Sequence, residues 1–139
     1  MNEDLIIKLI KKLSISIEHY GKKNMSDLDI NTSQGFILYY LLSEKNRTFY
    51  ARDIHREFGL SKATVSAILK SLKAKGYIVF SGDFNDERRK KIILTDKALT
   101  NENNIKEIFN LRKSLLCRGI SEYDLNVTLK TLDRMFRCV

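Results

Sequence analysis

Within residues 59–78, GLSKATVSAILKSLKAKGYI, the side chains able to do chemistry are hydroxyls and amines at helical spacing. With Val65 at zero on a helical wheel of about 100° per residue, Ile68, Leu69 and Leu72 form one apolar stripe. Ala63, Ala67, Lys70 and Ala74 fall on the far side, with Ser66 and Ser71 at its margins. A serine hydroxyl donates to or accepts from a base edge, alanine touches a thymine methyl, and lysine reaches guanine or phosphate. This is recognition chemistry, in which no bond is made or broken. Solvated helix faces usually carry Glu, Lys and Gln. A face this bare suits close approach to a major groove about 12 Å wide. A helix packed on both sides in a core, where alanine is common, accounts for the same residues taken alone.

Catalysis has little to work with elsewhere. His19 and His55 sit far apart in different expected helices, and no phosphate-binding glycine loop or zinc-ligand spacing occurs. No catalytic residue, no metal and no cofactor are therefore expected. Cys117 and Cys138 make no disulfide framework and are expected to be small buried thiols. The helix between them is roughly 25 Å long at 1.5 Å per residue, which argues against an intrachain bridge.

Charge points the same way as the bare face. The 139 residues contain 25 Lys plus Arg and 17 Asp plus Glu, a net charge of +8. Residues 1–46 hold six basic and six acidic residues, 47–97 hold twelve and six, and 98–139 hold seven and five. The excess is concentrated in the middle third, as expected of a module facing a polyanion. No apolar run approaches the ~18–20 residues that span a bilayer. The opening MNEDLIIKLIKKL is amphipathic and unlike a signal peptide. The expected location is a reducing cytoplasm, with no membrane partner.

The elements that must position this helix follow from periodicity and caps. Leu5, Ile6, Leu9, Ile10, Leu13, Ile17 and Tyr20 predict a helix over 3–21 that stops at Gly21. Asn31 or Thr32 caps the next, with Phe36, Ile37, Tyr40 and Leu41 as its apolar residues. A short helix over 50–58 ends at Gly59 and buries Ile54 and Phe58. Ser61 caps the helix described above, which ends near Gly76. YIVF (77–80) and KIIL (91–94) then read as a hairpin around the polar tip SGDFNDERRK. Thr95 caps one long helix carrying Leu99, Ile105, Ile108, Phe109, Leu115 and Leu116. Ser121 starts a last helix lined by Leu125, Leu129, Leu132 and Phe136. The apolar stripes of the terminal helices are long for so small a domain to cover. A second copy of the chain is the economical cover; packing of these helices on each other within one chain is the alternative.

The stretch GLSKATVSAILKSLKAKGYIVFSGDFNDERRKKIILT resembles the winged helix-turn-helix core of MarR-type transcriptional regulators. The resemblance is carried by LS-x-x-TVS, by LKAKGYI, and by Asp83, Asp86, Arg88, Leu94 and Thr95 of the D-x-x-D-x-R…LT pattern. Its specific motifs cover about residues 49–98, and the ends match in pattern only. Phe84 stands where proline often follows the first aspartate, Ala98 near the usual glycine after LT, and Tyr50 at a helix start that more often has Ser or Thr.

The resemblance implies a mainly α fold with a small β-hairpin wing. A winged helix-turn-helix core over 32–97 would lie between an N-terminal dimerisation helix (1–31) and C-terminal dimerisation helices (98–139). It implies a homodimeric, sequence-specific regulator of double-stranded DNA, in most cases a repressor, on a pseudo-palindromic promoter site. The recognition positions would be Ser61, Lys62, Ala63, Thr64, Ser66, Ala67 and Lys70. Arg88 would enter the minor groove with Asp86 holding it, and Arg89, Lys90 and Lys91 are expected to reach phosphates. His19, Tyr20, Tyr39 and Tyr40 could line a cleft for the small aromatic or phenolic effector that family members often bind. A peroxide sensor would need a cysteine near the N-terminus, and none is there. A winged helix serving as a protein- or RNA-interaction module is the alternative function.

Overall fold

A computed structural model of the chain describes residues 2–82 and 90–139, apart from the side chains of residues 21–24. Its helices are α1 (Glu3–Asn24), α2 (Thr32–Ser43), α3 (Ala51–Phe58), α4 (Lys62–Ala74), α5 (Asp96–Thr100), α6 (Glu102–Cys117) and α7 (Glu122–Arg137). The strands β1 (Ile78–Ser81) and β2 (Lys91–Leu94) pair antiparallel, with Ile78 opposite Leu94 and Ser81 opposite Lys91. Phe49 makes a further bridge to Ile92 on β2, whose N–H donates to the Phe49 carbonyl at 2.9 Å. The chain divides into two compact units, Met1–Ile108 and Phe109–Val139.

Polar side chains start most of these helices, because the first N–H groups of a helix have no partner within it. Asn31 Oδ1 accepts from the Gln34 N–H at 2.8 Å, and Ser61 Oγ from the Thr64 N–H at 3.1 Å. Thr95 and Ser121 cap α5 and α7 in the same way. At Tyr50 the cap runs in reverse: the Asp53 carboxylate accepts from the Tyr50 N–H at 2.8 Å. That explains how a tyrosine can stand at this helix start.

Two helix boundaries differ from expectation. Gly21 does not end α1, which runs to Asn24 before a 3₁₀ turn at Ser26–Leu28; Asp29 then takes a left-handed φ of 55°. One interior glycine costs a helix only about 1 kcal/mol. The long helix after Thr95 is two helices. Asn101 caps the first of them: its backbone N–H (3.2 Å) and its Nδ2 (2.8 Å) both donate to the Lys97 carbonyl, and the next helix starts at Glu102.

The core of the first unit joins α2, α3, α4 and the hairpin. Val65, Ile68, Leu69 and Leu72 of α4 are buried, as are Ile54, Phe49, Ile78, Ile92 and Ala98. Helix α2 buries Ile37, Leu38, Leu41 and Leu42. It is apolar on more than one side, as expected of a helix surrounded by others. Phe58, expected to be buried, is only half-buried: it meets edge-on, at 5.6 Å, the ring of Phe36, which is itself 39% exposed. The buried Tyr77 donates its hydroxyl to the Leu28 carbonyl at 2.7 Å. Burial, and then the charge of Asp29, raise its pKa, so it stays a donor. Neither cysteine is fully buried: Cys117 is half-buried and Cys138 exposed.

A close approach explains one small residue on α2. A Cβ at Gly35 would lie 2.1 Å from Met25 Sδ and 2.8 Å from Met25 Cε, and Met25 is 0% exposed. Gly35→Ala is therefore expected to destabilise the fold by about 1–3 kcal/mol through overpacking. Urea unfolding followed by circular dichroism reads this as a lower midpoint at unchanged slope.

Candidate nucleic-acid interface

Helix α4 divides cleanly into two faces. Behind lies the buried stripe from Val65 to Leu72; in front, Ser61, Lys62, Ala63, Thr64, Ala67 and Lys70 are all exposed and Ser66 is half-buried. This excludes the reading of α4 as a helix packed on both sides within its own chain. The exposed face rises only to the height of a methyl or hydroxyl along Ala63, Ala67 and Ala74, with Lys70 standing out among them.

Hydrogen bonding within the first turn decides which groups are left for a partner. The Ser61 hydroxyl caps the Thr64 N–H and also donates to Thr64 Oγ1 at 2.8 Å. Its proton is therefore used internally, and the Thr64 O–H is the hydrogen left to point outward. Ser71, at the margin of this face by sequence, is turned inward and accepts from Gln34 Nε2 at 2.8 Å.

The electrostatics of this helix start favour an outside anion. Helices α1, α3, α5, α6 and α7 carry an acid in their first turn, which suits the positive end of a helix dipole. Helix α4 carries none and opens instead with Lys62. A cation at that end is unfavourable by a few tenths of a kcal/mol, up to about 1. A polyanion docked there reverses the sign.

The hairpin adds charge beside the same helix. Lys73 Nζ of α4 and Lys90 Nζ lie 5.6 and 6.0 Å from the centre of the Phe80 ring, so an amine of α4 and an amine of the hairpin lie near one aromatic side chain. Lys73, at i+3 from Lys70, and Arg52, exposed on the first turn of α3 with its guanidinium 5.0 Å from the Tyr50 ring centre, are further basic side chains that no motif singled out. Lys91 is exposed on β2. Asp83, Phe84, Asp86, Arg88 and Arg89 lie outside the described residues.

The four residues expected to line an effector cleft are distributed over two helices. His19 is exposed and Tyr20 half-buried on α1; Tyr39 and Tyr40 are half-buried on α2. Tyr40 is committed to an aromatic cluster, 5.1 Å from Phe49 and 5.0 Å from Phe58 between ring centres, and its hydroxyl accepts from Arg47 at 3.1 Å. Burial, and then the nearby Glu57, raise its pKa. A shallow open depression is lined by residues 42–47 and Lys106, none of these four. Its Lys45 and Lys106 both bind Glu102, at 2.8 and 2.6 Å, and these bonds hold the Glu102 carboxyl below the usual range. The two ammonium groups thus neutralise a carboxylate of the chain itself. Among the described residues no cluster of His, Cys, Asp or Glu could hold a metal, and no helix is long and apolar enough to cross a membrane.

Comparison with known proteins gives consistent results. Residues 28–89 match the family model described as MarR family. A curated relative, the HTH-type transcriptional regulator BilQ of Clostridioides difficile (strain CD3), is 27% identical over 124 residues, covering 89% of this chain and 82% of the relative. The crystal structure of the S. aureus MepR–DNA complex superposes with a TM-score of 0.81 at 25% identity, over 94% of this chain and 93% of that one. The transcription regulator MarR of Oenococcus oeni PSU-1 superposes with a TM-score of 0.85 at 24% identity, over 95% and 98%.

Proposed function

From the match of residues 28–89 to the MarR family model and the likeness to the regulators above, we propose that this chain is a MarR-family transcriptional regulator that binds double-stranded DNA sequence-specifically as a cytoplasmic homodimer. It represses by occupying a pseudo-palindromic promoter site. The observation that carries this reading is the exposed small-residue face of α4, backed by a buried stripe and opening on Lys62 with no acid in its first turn. The MepR complex with DNA, at 25% identity, supports the choice of polyanion.

Roles follow from reach. Ala63, Thr64, Ser66 and Ala67 meet base edges, Lys70 takes guanine or phosphate, and Ser61 and Lys62 present the helix start to phosphate. Lys90, Lys91 and Arg89 contact the backbone beside the wing, while Arg88 enters the minor groove with Asp86 as its support. His19, Tyr20 and Tyr39 receive a small aromatic or phenolic effector that releases the DNA, with Tyr40 as a fixed wall.

The test is fluorescence anisotropy with a duplex selected by the protein from a randomised pool, a scrambled duplex, and RNA of equal length, at two salt concentrations. The selected duplex is expected to bind at least about 10³-fold tighter than the scrambled one. Lys70→Ala weakens binding, lowers the salt slope by about one, and relaxes the base preference. Equal binding to all three nucleic acids would point instead to a protein- or RNA-interaction module.

A further inference from the structure

We infer that Gln34 is a positioning residue that sets the roll and tilt of the recognition helix, so that base discrimination depends on it while affinity for duplex as such does not. The inference rests on the DNA-binding reading above and concerns a side chain that touches no DNA.

Gln34 lies on the first turn of α2 and is only 7% exposed, yet each of its polar atoms is used. Its Oε1 accepts from Lys75 Nζ at 3.0 Å and from the Asn31 N–H at 3.1 Å; its Nε2 donates to Ser71 Oγ at 2.8 Å. The opposite amide orientation would set an NH₂ against an ammonium and a backbone N–H, so the chemistry of the partners fixes it. Ser71 and Lys75 are one turn apart at the C-terminal end of α4. On the wheel they occupy the flank between the buried stripe and the exposed face. A grip at two points along one flank restrains rotation about the helix axis as well as tilt.

Packing alone does not supply that restraint. Val65, Ile68, Leu69 and Leu72 hold α4 by apolar contact, which is strong but non-directional. The other side of the grip is itself fixed. The Gln34 N–H is bound by Asn31, and two residues earlier the buried Thr32 donates to the Glu18 carbonyl of α1 at 2.8 Å. One turn of α2 therefore ties α1 to the recognition helix.

Leverage makes the consequence selective. Ser61 is ten residues from Ser71, roughly 15 Å along the axis at 1.5 Å per residue, so a tilt of about 5° moves the reading end by more than ~1 Å. Hydrogen bonds to base edges weaken steeply with that displacement. Attraction to the phosphate backbone carries no sequence information and falls off slowly.

The experiment compares wild type, Gln34→Met, Gln34→Glu and Ser71→Ala on the wild-type-selected duplex and its scrambled control. Gln34→Met keeps the volume and removes the bonds. The ratio of selected to scrambled affinity is expected to fall about tenfold, or about 1.4 kcal/mol, as the base contacts lose their alignment. Scrambled binding should stay within about twofold, since phosphate attraction is retained. Gln34→Glu should restore most of the ratio, because its carboxylate accepts from Lys75 and Asn31 while the Ser71 hydroxyl turns to donate. A purely structural role would lower both affinities in parallel with the folded fraction, and that result overturns the inference. An unchanged ratio in Gln34→Met overturns it too. If that variant does not fold, an unchanged ratio in Ser71→Ala does so. Failure of the wild type to enrich any sequence would sink the DNA-binding reading itself, and this inference with it.

Discussion

Ala67→Glu is expected to abolish specific duplex binding while leaving the fold intact. Ala67 is exposed at the middle of the α4 face, so a longer side chain meets no protein atom there, and glutamate is a good helix former. Thermal unfolding should therefore shift little. Toward DNA the same side chain does two things at once. It holds the helix off the groove floor by its length, and it sets an unpaired carboxylate against base edges and phosphates. Like-charge juxtaposition at an interface costs several kcal/mol, so a loss of at least about 100-fold is expected. Asn103→Glu, at an exposed position on α6, makes the same change in net charge. It should alter affinity by less than about threefold, because a charge away from the contact acts only through the screened field. If Ala67→Glu bound the selected duplex as well as wild type, the bare face of α4 would serve a different partner.

The legible parts of this molecule are those fixed by near neighbours. Four helix caps, at Asn31, Ser61, Thr95 and Ser121, are each set by a side chain and a backbone N–H three residues on. The two faces of α4 follow from one stripe at helical spacing. The hairpin follows from two β-rich runs, and its bounds differ from expectation only by one residue at β1, which spans 78–81 rather than 77–80. The bond-level details that escaped are of two kinds. Some depend on local side-chain bonding, as where the Asn101 amide joins its own N–H on the Lys97 carbonyl at a helix end, or where Asp53 caps Tyr50 from the far side.

Others depend on distance in the chain. Gln34 meets Ser71 across 37 residues and Lys75 across 41, and Tyr77 reaches Leu28 across 49. No window of sequence holds both ends of such a contact. The bridge from Phe49 to Ile92 is a single pair and leaves no alternating pattern to detect. The exposure of Phe36 was not legible for a related reason: its helix is apolar on several sides, so periodicity alone does not say which large residue stays at the surface.

The second large effect concerns assembly, and its premise is apolar surface that the single chain leaves in water. On α1, Leu5, Leu9 and Leu13 recur every four residues at 46%, 47% and 48% exposure. On α7, Leu129, Leu132 and Phe136 are at 67%, 46% and 50%. Isolated exposed leucines are ordinary, but stripes of this kind on two helices mark an interaction surface. A stable symmetric dimer buries about 1,200–2,000 Å², and repeated leucines on long helices supply apolar area efficiently. Light scattering at micromolar concentration is therefore expected to report twice the 16.2 kDa chain mass. Leu9→Glu and Leu132→Glu, made separately, test the two compact units one at a time, since α1 and α7 belong to different units. Each should shift the assembly toward monomer, because burying one unpaired carboxylate per copy costs several kcal/mol. Affinity for a two-half-site duplex should fall by at least about 100-fold with the monomer, as the second recognition helix is no longer delivered at high effective concentration. Affinity for a single half-site should hardly change, since the α4 surface is untouched. A wild type that stayed monomeric at that concentration would leave both stripes without their cover and remove the dimer from the mechanism.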